Sequence, residues 1–292
     1  MLRKLLMGAA AAASLSVAGA ALAGPADDPA NWRKVAAENL LQLTINGQDV
    51  LVELRPDIAP THVAQITKIA RAGHFDKVPF HRVIDDFMAQ GGDTSLVYPQ
   101  VEYPMLRGEF TWARDPSKQK VTWIGATPDG YKLGYMDGLL VQGQPDELAM
   151  ISYPAVARTW MLHCSGVTSM ARTNDPNSAT TQFFLMRQPR VGADGLDKKY
   201  TPWGWSVSGV DTIRAIKTGD EDENGVLPPG TADVLTKAVM VADMPAAKQP
   251  AVYVRRTDGP EFMAKAAEIK VSDPFDACYL PPVEVVIERA KP

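Results

Sequence analysis

Two short stretches of this 292-residue chain carry side chains that could act together. The first is Phe80-His81-Arg82-Val83-Ile84, followed by Phe87-Met88-Ala89-Gln90-Gly91-Gly92-Asp93. The second is Ser169-Met170-Ala171-Arg172, followed downstream by Gln182-Phe183-Phe184. Strand alternation places Arg82 with Phe80 and Ile84, Met88 with Gln90, and Gln182 with Phe184, and turns Phe183 inward. The set holds one guanidinium, two amides and several large apolar groups, and no nucleophile–base pair. Such a set can grip an apolar ring and hold a permanent cation with a rigid donor fork beside it.

Other chemistries find little support. The chain has no G-x-S-x-G, H-E-x-x-H, C-x-x-C, P-loop or G-x-G-x-x-G pattern. None of His62, His74, His81 and His163 has a second His or a Cys at ligand spacing, so no metal is expected. His163 and Cys164 are adjacent, and neighbours on a strand point to opposite faces, which argues against a thiol dyad. Asp220-Glu221-Asp222-Glu223-Asn224-Gly225 matches the first half of a calcium loop. Its twelfth position is Thr231 where a bidentate Glu is required, so it reads as a solvated acidic turn.

The elements that must position these groups are mostly strands. Residues 39–46 and 50–54 flank Asn46-Gly47, a strong hairpin signal. Ala59-Pro60-Thr61 opens a helix with Val63, Ile66 and Ala70 on one face and Gly73 at its end. Residues 79–90 read as two strands about Asp85-Asp86, and 166–171, 180–186, 203–207 and 234–242 as further strands. A short helix runs from Val210 to Gly219. Residues 96–163, rich in aromatics, Gly and Pro, read as packed loops and short strands. Residues 24–38 read as a leader and 245–292 as a tail with one late strand, Val283 to Ile287. Many short strands with two short helices point to a closed barrel or a sandwich.

Composition sets the surroundings. The chain is 46% hydrophobic and 22% charged, too apolar for disorder. Its formal charge is −4 and no Lys/Arg run follows the first residues, which disfavours a nucleic-acid partner. Arg3-Lys4, an Ala-rich stretch and Ala21-Leu22-Ala23 have the form of a secretory signal over residues 1–23. No later apolar run approaches membrane-spanning length, so no membrane association is expected after cleavage. Cys164 and Cys278 are the two cysteines. In an oxidising compartment they could form one bridge, or remain two separate buried thiols.

The two motifs, F-H-R-V-I-x-x-F-M-x-Q-G-G-D and S-M-A-R-x-x-x-P-N-S-A-x-x-Q-F-F, resemble the cyclophilin family of peptidyl-prolyl cis–trans isomerases. The resemblance implies a mostly β fold, an eight-stranded closed antiparallel β-barrel capped by two helices, spanning residues 39–244 with 96–163 as an insert. It implies catalysis by Arg82 oriented by Gln90, and a substrate site of Phe87, Met88, Ala171, Arg172, Gln182, Phe184, Leu196 and Tyr200. Ala171 and Arg172 would supply main-chain contacts, and His81 a structural rather than acid–base role. Proline-containing polypeptides would be the substrates, with no cofactor. A monomeric protein of the Gram-negative periplasm is expected. Gly195 stands where many members carry a tryptophan, and Tyr200 where they often carry a histidine. A second reading keeps the barrel as a proline-peptide-binding module without catalysis.

Overall fold

The computed structural model describes residues 24–92 and 102–289. The signal-like segment 1–23 and the first residues of the insert lie outside them.

Asn46 and Gly47 take positive φ angles of 50° and 75°, as a two-residue hairpin turn demands. They join β2 (Leu40–Ile45) to β3 (Gln48–Leu54). Before them comes β1 (Trp32–Lys34). After them come β4 (Val78–Pro79), β5 (Arg82–Val83) and β6 (Met88–Gly92). The insert supplies β7 (Trp112–Arg114), β8 (Thr122–Ala126), β9 (Lys132–Met136), β10 (Leu139–Gly143) and β11 (Ala157–Met161). Then follow β12 (Val167–Met170), β13 (Gln182–Met186), β14 (Pro202–Ser208), β15 (Val234–Met240), β16 (Ala251–Arg255) and β17 (Val285–Glu288). Among the described residues, helices α1 (Pro60–Arg71), α2 (Asp146–Met150), α3 (Val210–Arg214), α4 (Pro260–Ala266) and α5 (Pro274–Ala277) accompany them.

Among the described residues nine strands, not eight, make the main sheet, in the order β4-β15-β2-β3-β14-β12-β13-β6-β5. Its end strands β4 and β5 are consecutive in the chain, with Phe80 and His81 between them. No ladder among the described residues pairs them, so the sheet curls without closing as the expected barrel would. Leu43, Ile45, Val52, Phe80, Val83, Phe183 and Leu185 fill the inside of the curl beneath Ile66 and Ile69 of α1. The break at Phe80 overturns its expected parity with Arg82: Phe80 faces inward as Val83 does, while Ile84 keeps to the outer side with Arg82 as expected.

The insert is more ordered than loops. Its strands form a separate five-stranded sheet, β7-β11-β10-β9-β8, packed on the outside of the curled sheet through Met136, Leu139, Val141 and Met161. Residues 24–38 are no loose leader, because β1 pairs with β16, which pairs with β17. Arg33 of β1 grips the Glu53 carboxylate with both terminal nitrogens, at 2.6 and 2.7 Å. The same carboxylate accepts the Trp205 indole N–H at 2.9 Å. The cysteines are bonded to each other, tying the end of the insert to the tail.

Helix α1 begins on Ala59-Pro60, with no side-chain cap of its own. Glu109 of the insert supplies one: its carboxylate accepts the backbone N–H groups of Thr61 and His62, at 3.2 and 3.1 Å. The Thr61 hydroxyl and the His62 ring lie at 2.7 and 2.6 Å. Burial raises the Glu109 pKa, but the hydrogen bonds from His62 and Thr61 outweigh it and hold the carboxyl below its usual range. Glu109→Ala is expected to cost about 1–2 kcal/mol, the range for losing a strong N-cap. Because the folded pKa is the lower one, this contribution is full above the unfolded value of about 4.3 and fades as acid protonates the folded carboxyl. Acid denaturation curves of the wild type and variant should therefore converge.

Candidate active site

The sheet register builds the site. Arg82 on β5 pairs with Gln90 on β6, Gln90 with Phe184 on β13, and Phe184 with Ser169 on β12. Residues opposite one another in an antiparallel ladder point to the same face, so this single rung aims all four side chains outward. The next rung, Val83-Ala89-Leu185, points to the inner core. The alternation of small, amide and aromatic residues in the two motifs is thus the two-faced pattern of one sheet.

Arg82 is held edge-on. Its Nε donates to the Asn224 carbonyl at 3.0 Å and its Nη2 to the Asn224 side-chain oxygen at 2.9 Å. Its Nη1 reaches Gln90 Oε1 at 3.4 Å. Gln90 Nε2 donates in turn to Gln182 Oε1 at 3.1 Å. Burial lowers the Arg82 pKa somewhat, and a guanidinium so shifted is still a cation at any working pH.

Beside it lies an apolar slot. Met88 and Phe184, 2% and 4% exposed, make the floor. Half-buried Phe87, Leu196, Tyr200 and Ala171 pack against the same cluster. The Tyr200 ring meets Phe184 edge to face at 5.7 Å, and the Arg172 guanidinium lies 4.2 Å over Tyr200. Arg172 also donates to the Lys199 carbonyl through Nε and Nη2. All ten expected residues therefore assemble at one place. One expected contact changes: the Ala171 N–H is used by the Gln182 carbonyl at 2.9 Å. Only the carbonyl of Ala171 is left to meet a substrate backbone.

Two features escaped the sequence. Asn224 sits in the acidic stretch read as a solvated turn, yet it fixes Arg82. Its φ of 54° is one that asparagine tolerates well, and the Asn-Gly pair was the available signal. The second is Asp197 behind His163, whose ring stacks at 6.5 Å on Phe184. The His163 Nδ1 meets Asp197 Oδ1 at 2.9 Å and its Nε2 meets Ser169 Oγ at 2.9 Å. A nucleophile, base and carboxylate thus stand in line, but Ser169, His163 and Asp197 are no more than 2% exposed. No substrate reaches them. They fasten the loop carrying Leu196 and Tyr200 to the end of the Arg82 rung. Gly195 in that loop could not be the family's tryptophan as the chain now runs, since a Cβ there would lie 2.5 Å from the carbonyl oxygens of Arg190 and Val191.

His81 lies next to Arg82. Burial keeps its pKa below the ordinary histidine value, and the Arg82 charge adds to that, while Pro79 and Gln182 partly oppose it. The imidazole is therefore neutral above about pH 6.5.

Comparison with known proteins agrees with this geometry. The family of cyclophilin type peptidyl-prolyl cis-trans isomerases matches residues 40–242. A probable peptidyl-prolyl cis-trans isomerase of Brucella suis biovar 1 is 36% identical over 239 residues, covering 81% of this chain and 95% of the relative. Peptidyl-prolyl cis-trans isomerase cyp18 of Streptomyces antibioticus is 29% identical, over 61% of this chain and 85% of its own. The crystal structure of cyclophilin AquaCyp293 from Hirschia baltica superposes with a TM-score of 0.77 at 37% identity. That match covers 91% of this chain and 96% of the other, a share too large to omit either the insert or the tail. By its rung of site residues and by these relatives, the chain belongs to the cyclophilin-type peptidyl-prolyl cis–trans isomerases.

Proposed function

We propose that the chain accelerates rotation about X-Pro bonds of exported polypeptides, with Arg82 stabilising the twisted imide while the slot holds the proline ring. Rotation about a peptide bond faces a barrier of about 18–20 kcal/mol. In the twisted state the prolyl nitrogen loses resonance and gains a lone pair. A donor fixed beside that nitrogen binds it better twisted than planar, which is the differential binding that catalysis requires. A thousandfold acceleration needs only about 4 kcal/mol of it.

The observation that carries this reading is the guanidinium tied along its Nε–Nη2 edge by Asn224 and at Nη1 by Gln90, beside the Met88/Phe184 floor. A donor already in place pays no ordering cost during the reaction. Gln90, Gln182 and the Ala171 carbonyl would align the backbone before the proline, and Arg172 would hold Tyr200 as a wall. A protease-coupled assay on a short X-Pro peptide tests the proposal. A chain that binds the peptide with no rate enhancement would be a binding module instead.

Asn224→Gly keeps the left-handed backbone and removes the side-chain tie. It should lower kcat/KM about tenfold, the loss of one hydrogen bond to a charged group, with thermal stability nearly unchanged. No step moves a proton, so kcat/KM should stay flat from about pH 6.5 to 8, where His81 is neutral and Arg82 charged. A bell-shaped profile in that window would contradict the mechanism.

The Ala-rich first residues and the Cys164–Cys278 bond support an exported, periplasmic enzyme, since such bonds persist in oxidising compartments. Cell fractionation should recover a chain beginning at Gly24 from the periplasm, eluting as a monomer.

A further inference from the structure

A second cavity, of about 470 Å³, opens where the insert, the curled sheet and the tail meet. Its walls come from Leu139, Leu140 and Met161 of the insert, Val167 and Trp205 of the curled sheet, and Cys278 to Val283 of the tail. None of the ten residues of the isomerase site lines it. Its size falls within the roughly 300–1,000 Å³ of small-molecule sites.

We propose that this cavity is a binding site for a small acylated carboxylate: an apolar body, one internal carbonyl and one anionic end. Three observations set that chemistry. The walls are chiefly Leu, Met, Val, Trp and Pro, which suit an alkyl or aliphatic body. Tyr135 lines the cavity and is 97% buried, at 3% exposed, yet its hydroxyl has no hydrogen-bond partner in the chain. Burial pushes this phenol up to about 12, so it persists as a neutral donor. The hydroxyl is open to the cavity and makes no bond within the chain, so a ligand carbonyl can accept from it. Arg214 also lines the cavity. Its Nε meets the Arg187 carbonyl at 3.3 Å and its Nη1 the exposed Asp211 at a long 3.5 Å, leaving Nη2 for an anion. The disulfide to Cys278 holds the tail wall in place.

The chemistry is shared by N-acyl amino acids and by the free carboxyl end of an apolar peptide. Calorimetric titration of the mature chain with N-octanoyl-leucine, its neutral carboxamide and N-acetyl-Leu-Leu separates them. One-to-one binding of N-octanoyl-leucine is expected, with the carboxamide about tenfold weaker. Arg214→Gln should erase that difference without weakening the carboxamide. Tyr135→Phe should weaken both about equally, by several-fold. Leu140→Trp should fill the cavity and abolish binding, and the X-Pro isomerase rate should be unaltered in all three variants. Equal binding of N-acetyl-Leu-Leu would identify a peptide end as the source, and its failure to bind an acyl-chain source. The proposal fails if N-octanoyl-leucine does not saturate. It fails too if binding survives Leu140→Trp or ignores Arg214, or if a second copy fills the cavity and sedimentation shows a dimer.

Discussion

Arg82→Ala is expected to lower kcat/KM for an X-Pro peptide by about two to three orders of magnitude, the usual cost of removing one preorganised donor from a developing charge. Circular dichroism and thermal stability should change little, because Arg82 is half-exposed and its partners Asn224 and Gln90 can be hydrated. Arg82→Lys tests geometry against charge. A lysine restores the cation but not the planar fork that Asn224 and Gln90 hold, so it should recover little of the lost rate. Peptide affinity, measured by titration, should survive both changes, since the slot of Met88, Phe184 and Leu196 is untouched. Equal rates in wild type and Arg82→Ala would remove the guanidinium from the reaction and leave the slot as a binding site.

The second large effect concerns stability. Replacing both cysteines, Cys164→Ser with Cys278→Ser, should cost about 2–5 kcal/mol in denaturant unfolding, because the bond closes a loop 114 residues long. Reductant added to the wild type should reproduce the loss. The isomerase rate should persist in the folded variant, because His163 is fastened by Asp197 and Ser169 independently of its neighbour Cys164. The tail should also stay paired, because β16 is laddered to both β1 and β17. A double variant as stable as the wild type would show that the bond contributes nothing.

What was legible in the sequence was what a local pattern controls. The Asn46-Gly47 turn, the Pro60 helix start and the two-faced strands around Gln90 and Phe184 follow from short-range rules, and Arg82, Met88, Gln90, Gln182 and Phe184 lie on those strands. The parity error at Phe80 arose because the strand breaks there, and no period survives a break. Long-range pairing was illegible. Nothing local marks Trp32–Lys34 as the partner of Arg255, or Glu109 as the cap of a helix that starts 49 residues earlier. Asn224 was missed for the same reason: its neighbours are acidic and exposed, and its role depends on Arg82, which is 142 residues away. His163 and Ser169 were both seen, but the sequence could not tell that Asp197 would complete the line.

The pairing of β1 with β16 bears on when this polypeptide can finish folding. A chain made from its amino end delivers Trp32–Lys34 early and Ala251–Arg255 almost last. Until then the backbone of the first strand has no ladder partner, and Arg33 must wait to be locked beside Glu53 from both sides. The outermost layer is therefore sealed only after synthesis is nearly complete, and a nascent chain halted before residue 251 presents an open strand edge to whatever chaperone meets it.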